Sequence, residues 1–83
     1  MQAYCYILYS PKLNKYYVGS TTDIKRRLEE HNRGKEKFTS TGTPWKPVYE
    51  ETFSSLVEAR SRELYIKRMK SRKYIESLIS SVG

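Results

Sequence analysis

Residues 3–9 (AYCYILY) form a β-branched and aromatic run closed by Ser10-Pro11, a pattern that predicts a strand. Its two faces are Tyr4, Tyr6, Leu8 and Cys5, Ile7, Tyr9. After the turn-forming PKLNK comes Tyr16-Tyr17-Val18, a second strand ended by Gly19 and antiparallel to the first because the connection is short. Ser20-Thr21-Thr22-Asp23 supplies caps for a helix over 23–33 whose apolar stripe is Ile24 and Leu28, with Gly34 stopping it. Residues 34–46 are polar, without apolar period, and read as a loop. Residues 47–53 give a third strand, an edge one given the leading Pro47. Ser55-x-x-Glu58 is a capping box opening a helix over 56–69, and Ser71 begins a last helix with Ile75, Leu78, Ile79 and Val82 on one face. The order ββαβαα predicts an α+β domain in which three helices flank a small three-stranded antiparallel sheet. At 83 residues the chain holds one domain.

Charge changes this picture from a generic fold to one with an anionic partner. The chain carries 16 Lys+Arg against 9 Asp+Glu, a net charge of +7. Residues 60–73 (RSRELYIKRMKSRK) hold seven of those cations and only Glu63, so the excess sits almost wholly in one segment. A solvated helix face would carry more i,i+4 acid partners. Nucleic acid is the expected partner, ahead of membrane. No apolar run approaches the ~20 residues that span a bilayer. The start also lacks a basic leader region, so a cytoplasmic protein is expected. One cysteine, Cys5, excludes an intramolecular disulfide framework and a cysteine-based zinc site.

Candidate chemistry narrows by elimination. There is one histidine, no phosphate-binding glycine loop and no G-x-S-x-G, which makes nucleophilic triads and nucleotide loops poor candidates. Arg27 and His31, four apart, share a helix face beside Ile24 and Leu28, and together suit anion recognition. The alternative is that both simply solvate the helix. On the helix at 56–69 the inward stripe runs Leu56, Ala59, Glu63, Ile66, Met69, so Glu63 stands where a core residue is expected. Such a carboxylate needs either an ion pair, with Arg60, Arg62 or Lys67, or a divalent cation facing phosphate. Tyr4, Tyr6 and Tyr9 lie next to Tyr16 and Tyr17 on the neighbouring strand, which predicts cross-strand ring contacts. A phenol here could act as a base if neighbouring cations lower its ionisation.

Tyr4-Cys5-Tyr6, Tyr17-Val18-Gly19, Arg27, His31-Asn32 and Glu63, in that order, resemble the GIY-YIG nuclease domain over roughly residues 3–70. YYVGST with Arg27 eight residues after its glycine resembles the small standalone bacterial subgroup, and the domain is similar to the first domain of the excision-repair incision subunit. Tyr4 stands at the family's first glycine and Cys5 at the following aliphatic. The resemblance implies a three-stranded antiparallel sheet with helices around it, and phosphodiester hydrolysis with one divalent cation, Mg²⁺ or Mn²⁺. It gives Tyr6 the role of activating water, with Tyr17 its partner at the phosphate. Arg27 becomes the transition-state cation, His31 orients substrate or protons, and Glu63 is the metal ligand. Gly19 allows close backbone approach where strand meets loop.

Two functions follow. The first is a metal-dependent DNA endonuclease, with branched, flap or damaged duplex as candidate substrates and links to repair or recombination. The second is a catalytically weak or silent nucleic-acid-binding module of the same fold. Gly19, Arg26, Arg60, Arg62, Lys67, Arg68, Lys70, Arg72 and Lys73 are the expected nucleic-acid contacts, on a monomer or weak homodimer.

Overall fold

Two apolar faces on one strand require cover on both sides of a sheet, and this governs the architecture. The computed structural model describes residues 2–34 and 39–82. Its elements are β1 (Ala3–Ser10), β2 (Lys15–Thr21), α1 (Ile24–Asn32), a 3-10 turn (Thr39–Gly42), β3 (Lys46–Phe53), α2 (Leu56–Met69) and α3 (Arg72–Val82). The sheet is antiparallel in the order β2-β1-β3. This is the α+β, ββαβαα fold expected.

One face of β1 carries Cys5 and Ile7, which with Val18 and Ile66 form a core covered by Tyr74, Ile75 and Leu78 of α3. The other carries Tyr6 and Leu8, packed with Trp45 and with Ile24 and Leu28 of α1. β3 is an edge strand, and its register shifts opposite Ile7 and Leu8, next to Pro47. Proline there costs no ladder bond that an edge or bulge would use.

Local caps follow the sequence. Asp23 accepts from the Arg26 N–H, Ser55 from the Glu58 N–H and Ser71 from the Tyr74 N–H. Gly34 has φ 76°, the left-handed conformation expected after α1.

Three expectations are corrected. β2 does not end at Gly19 but runs through it to Thr21, with Gly19 opposite Tyr6. The 34–46 loop contains the 3-10 turn and delivers Trp45, 2% exposed, into the core. Met69 is 44% exposed instead of completing the inward stripe of α2. That helix ends at Lys70 (φ 47°), and α3 supplies the apolar cover instead. Val82, expected on the inner face of α3, has its side chain outside the described residues.

Candidate active site

The site is built from the Tyr6 face of the sheet. At Gly19 a Cβ would sit 2.5 Å from the Tyr6 hydroxyl and 2.6 Å from its Cζ, so the Tyr6 ring lies across the space a side chain would fill. Tyr17, two residues earlier, projects to the same side. Its ring centroid is 6.4 Å from that of Tyr6 and 4.7 Å from His31, edge-on. The expected cross-strand contacts are present here and between Tyr9 and Tyr16, at 5.0 Å.

α1 brings His31 into this group because Ile24, Leu28 and His31 follow a helical stripe. His31 is fully buried. Its Nε2 lies 3.2 Å from the Tyr6 hydroxyl and its Nδ1 3.0 Å from the Thr39 hydroxyl. Thr39 is fixed in turn, its carbonyl accepting from Trp45 Nε1 at 2.6 Å. Asn32 holds the Trp45 backbone from both sides, accepting its N–H at 2.6 Å and donating to its carbonyl at 3.3 Å. Arg27, one turn before His31, pairs with Glu30 at 3.0 Å and lies near enough to the Tyr6 hydroxyl to favour its ionised form. Neither residue merely solvates the helix. Thr39 and Trp45 were not legible as site residues. The only signal was a Thr and a Trp amid an otherwise polar loop.

Burial pushes the ionisation of Tyr6 well above its ordinary value, and the neighbouring Tyr17 and Glu63 add to this. Arg27 opposes the shift but does not overcome it. Within the chain's own charges, desolvation outweighs the cation that would lower this phenol.

Glu63 comes from the opposite side of edge strand β2, since α2 packs through Ile66 on Cys5, Ile7 and Val18. Its carboxylate, 17% exposed, accepts from Ser20 Oγ and from Lys67 Nζ, both at 2.6 Å. The Lys67 ammonium also stands 5.8 Å from the Tyr17 ring centroid, linking the two sides of the strand. Of the three cations expected near Glu63, Lys67 takes it. Arg62 is turned to Glu51 (Nε–Oε1 3.1 Å, Nη2–Oε2 3.1 Å), which holds its guanidinium charged, and Arg60 is exposed. Arg72 donates to the Asn14 carbonyl and side chain at 2.6 and 2.7 Å and pairs with Glu76. Arg26, Arg68, Lys70 and Lys73 are exposed.

Among the described residues no group of three or more His, Cys, Asp or Glu could enclose a metal. Glu63 alone fits a hard cation that draws the rest of its shell from water and phosphate, as Mg²⁺ does.

The GIY-YIG catalytic domain model matches residues 2–75 of the chain. The chain belongs to the GIY-YIG family. Within it, a UPF0213 protein of Streptococcus pneumoniae is 44% identical over 70 residues, covering 83% of this chain and 70% of that protein. A UPF0213 protein of Staphylococcus haemolyticus is 44% identical over 77 residues, covering 88% and 93%. The solution NMR structure of a UPF0213 protein from Bacillus halodurans is similar at TM-score 0.60 and 38% identity, over 96% of this chain and 84% of that one. Membership of a nuclease superfamily, and likeness to its small bacterial members, are thus shown. GIY-YIG nucleases generally use divalent metals. No helix among the described residues is long and apolar enough to cross a membrane.

Proposed function

We propose that this GIY-YIG domain is a divalent-metal-dependent endonuclease that hydrolyses phosphodiester bonds in DNA. The observation that carries the reading is the meeting of Tyr6, Tyr17, Arg27 and His31 on one side of β2 with Glu63 reached around its edge.

The geometry supports the following division of labour. In the tautomer whose Nδ1–H donates to Thr39, His31 Nε2 accepts the Tyr6 proton. Tyr6, neutral because it is buried, gives that proton to His31 as it takes one from the attacking water. The water oxygen then bonds to phosphorus as one ester P–O bond breaks, and the departing alkoxide takes a proton from solvent to leave as a sugar hydroxyl. Arg27 faces the charge that grows on the phosphoryl oxygens. Tyr17, edge-on to the buried His31, bounds the same space and meets the phosphate there. Glu63 would hold the metal, Mg²⁺ or Mn²⁺, which when bound acts as a Lewis acid on the phosphate. The exposed cations Arg26, Arg60, Lys67, Arg68, Lys70 and Lys73 supply backbone contacts around it. Arg62 and Arg72 do so only through the parts of their guanidinium groups not held by Glu51, Glu76 and Asn14. Structure-specific substrates, a repair or recombination role and a cytoplasmic location complete the proposal.

One observation favours the second reading, a silent binding module: Lys67 already neutralises Glu63. A nicking assay on plasmid and branched DNA with Mg²⁺ or Mn²⁺ separates the two. Glu63→Ala and Tyr6→Phe should each lower cleavage by at least ~10²-fold while binding is largely kept, the range expected for a lost general base or charge stabiliser. Cleavage that survives Glu63→Ala refutes the metal assignment. Salt-sensitive binding without cleavage under any condition establishes the module.

A further inference from the structure

Next to the site, between edge strand β2 and the corner where α2 meets α3, lies a groove of about 460 Å³. Its floor is Val18, Ile66 and Ile75 with the ring of Tyr16. Its rim is cationic, formed by Lys15, Lys67, Lys70 and Arg72. Tyr17 and Lys67 belong to the groove and to the candidate active site alike, so one opens onto the other. The Arg72 guanidinium stands 5.0 Å from the Tyr16 ring centroid and is anchored by Asn14, which fixes that wall. Lys15 and Tyr16 were not among the nucleic-acid contacts read from the sequence.

An apolar floor with a rim rich in cations, of which Lys15 and Lys70 form no ion pair among the described residues, selects its occupant. A second copy of this chain brings a further +7 to a positive rim, which opposes self-association. A plain duplex offers phosphates to the rim but keeps its bases stacked inside, leaving the floor unused. An unpaired nucleotide satisfies both, with phosphates on the lysines and an exposed base face on tyrosine and aliphatic carbons. The volume falls in the ~300–1,000 Å³ range of pockets that enclose small molecules.

We infer that this groove seats an unpaired nucleotide of a single-stranded DNA arm adjoining the phosphate to be cut, with Lys15 and Lys70 on its flanking phosphates. The inference rests on the nuclease reading above and sharpens it. The chain would recognise a junction through its unpaired arm, not through sequence.

The test is fluorescence anisotropy on the whole protein without divalent metal, comparing a blunt duplex with the same duplex bearing a single-stranded arm. The armed duplex should bind ~5- to 100-fold more tightly, as expected when one base stacks on an aromatic side chain. Lys15→Gln/Lys70→Gln, both exposed in the fold, should reduce the slope of log affinity against log salt by ~1.4 for the armed substrate, at ~0.7 per lost phosphate contact. Tyr16→Leu, which keeps an apolar floor, should shrink the preference for the arm. Equal affinity for blunt and armed duplex, or an unchanged salt slope in the lysine pair, overturns the inference even if cleavage is robust. A dimer that the lysine pair strengthens, with no arm preference, also overturns it by giving the groove to a second copy. Arm preference with no cleavage of any substrate keeps the groove and sinks the nuclease reading instead.

Discussion

Gly19→Ala tests the spatial logic of the site without assuming a reaction. The added Cβ would lie 2.5 Å from the Tyr6 hydroxyl, 2.6 Å from Cζ and 3.1 Å from Cε1. Ordinary contacts are ~3.5–4.0 Å between carbons, so the ring must retreat by about 1 Å. It has little room to do so: Tyr6 is 2% exposed and tied to His31 at 3.2 Å. Overpacking of this kind costs ~1–3 kcal/mol. Removing a glycine from a strand returns ~0.5–1 kcal/mol through the unfolded chain. A net loss of ~1–2 kcal/mol corresponds to a Tm lower by about 4–16 °C in a domain of this size. Thermal and urea unfolding of the single variant, and of the same change made in a Tyr6→Leu background, measure the coupling. With the ring gone the substitution should become neutral or stabilising. In the nicking assay the ~1 Å displacement of Tyr6 should cost on the order of 10²-fold. A Gly19→Ala protein as stable as the parent refutes the argument, as does an equal penalty with and without the Tyr6 ring.

Three further outcomes follow from burial and pairing. Cys5 is fully buried, which pushes its thiol up to about 12, so an aromatic disulfide reagent at mildly alkaline pH should label it only as fast as the chain unfolds; immediate labelling of the folded protein contradicts this placement. Tyr6 ionises at higher pH in the folded chain than in the unfolded one, so its share of stability is complete below pH ~10 and is lost as pH rises beyond that. Tyr6→Phe should therefore lose stability less steeply than the parent above pH ~10, and superimposable pH curves would count against a buried neutral phenol. Glu51→Ala leaves the half-buried Arg62 guanidinium without its carboxylate and should cost ~1–3 kcal/mol in urea unfolding, whereas a silent substitution would show the pair to be solvent-screened.

Much of the fold was legible because it is local or periodic. β1, the caps at Asp23, Ser55 and Ser71, the inner face of α1 and the ββαβαα order all depend on spacing within a few residues. What was misread depends on residues distant in the chain. Gly19 looks like a strand terminator, yet it sits inside β2 because a ring from β1 occupies its missing side chain. Trp45 has no apolar neighbours in sequence, and its burial is fixed by Asn32 and Thr39 on other elements. Met69 continues the stripe of α2 but stays exposed, because Tyr74, Ile75 and Leu78 cover the Cys5, Ile7, Val18 and Ile66 core once the chain turns at Lys70. The residues of the candidate site were legible as types at spacings. The Lys67 ion pair of Glu63 was among the readings the spacing offered; that Ser20 meets Glu63 at the strand edge was not.

The same distinction decides how Tyr6 can work. Viewed in sequence, a tyrosine near several cations invites a lowered pKa and a phenolate base. In the fold, Arg27 does favour the phenolate, but removing the ring from water outweighs one quarter-exposed guanidinium already shared with Glu30. A base that stays protonated needs somewhere to send its proton, and among the described residues His31 Nε2 is placed for that, with Thr39 behind it on Nδ1. His31 has no water contact of its own, since it is fully buried. On the proposed nuclease reading, activation of water would turn on the Tyr6–His31–Thr39 chain as a unit. The loop that carries Thr39, the least patterned stretch of the sequence, would then serve that reaction as much as the motif tyrosines do.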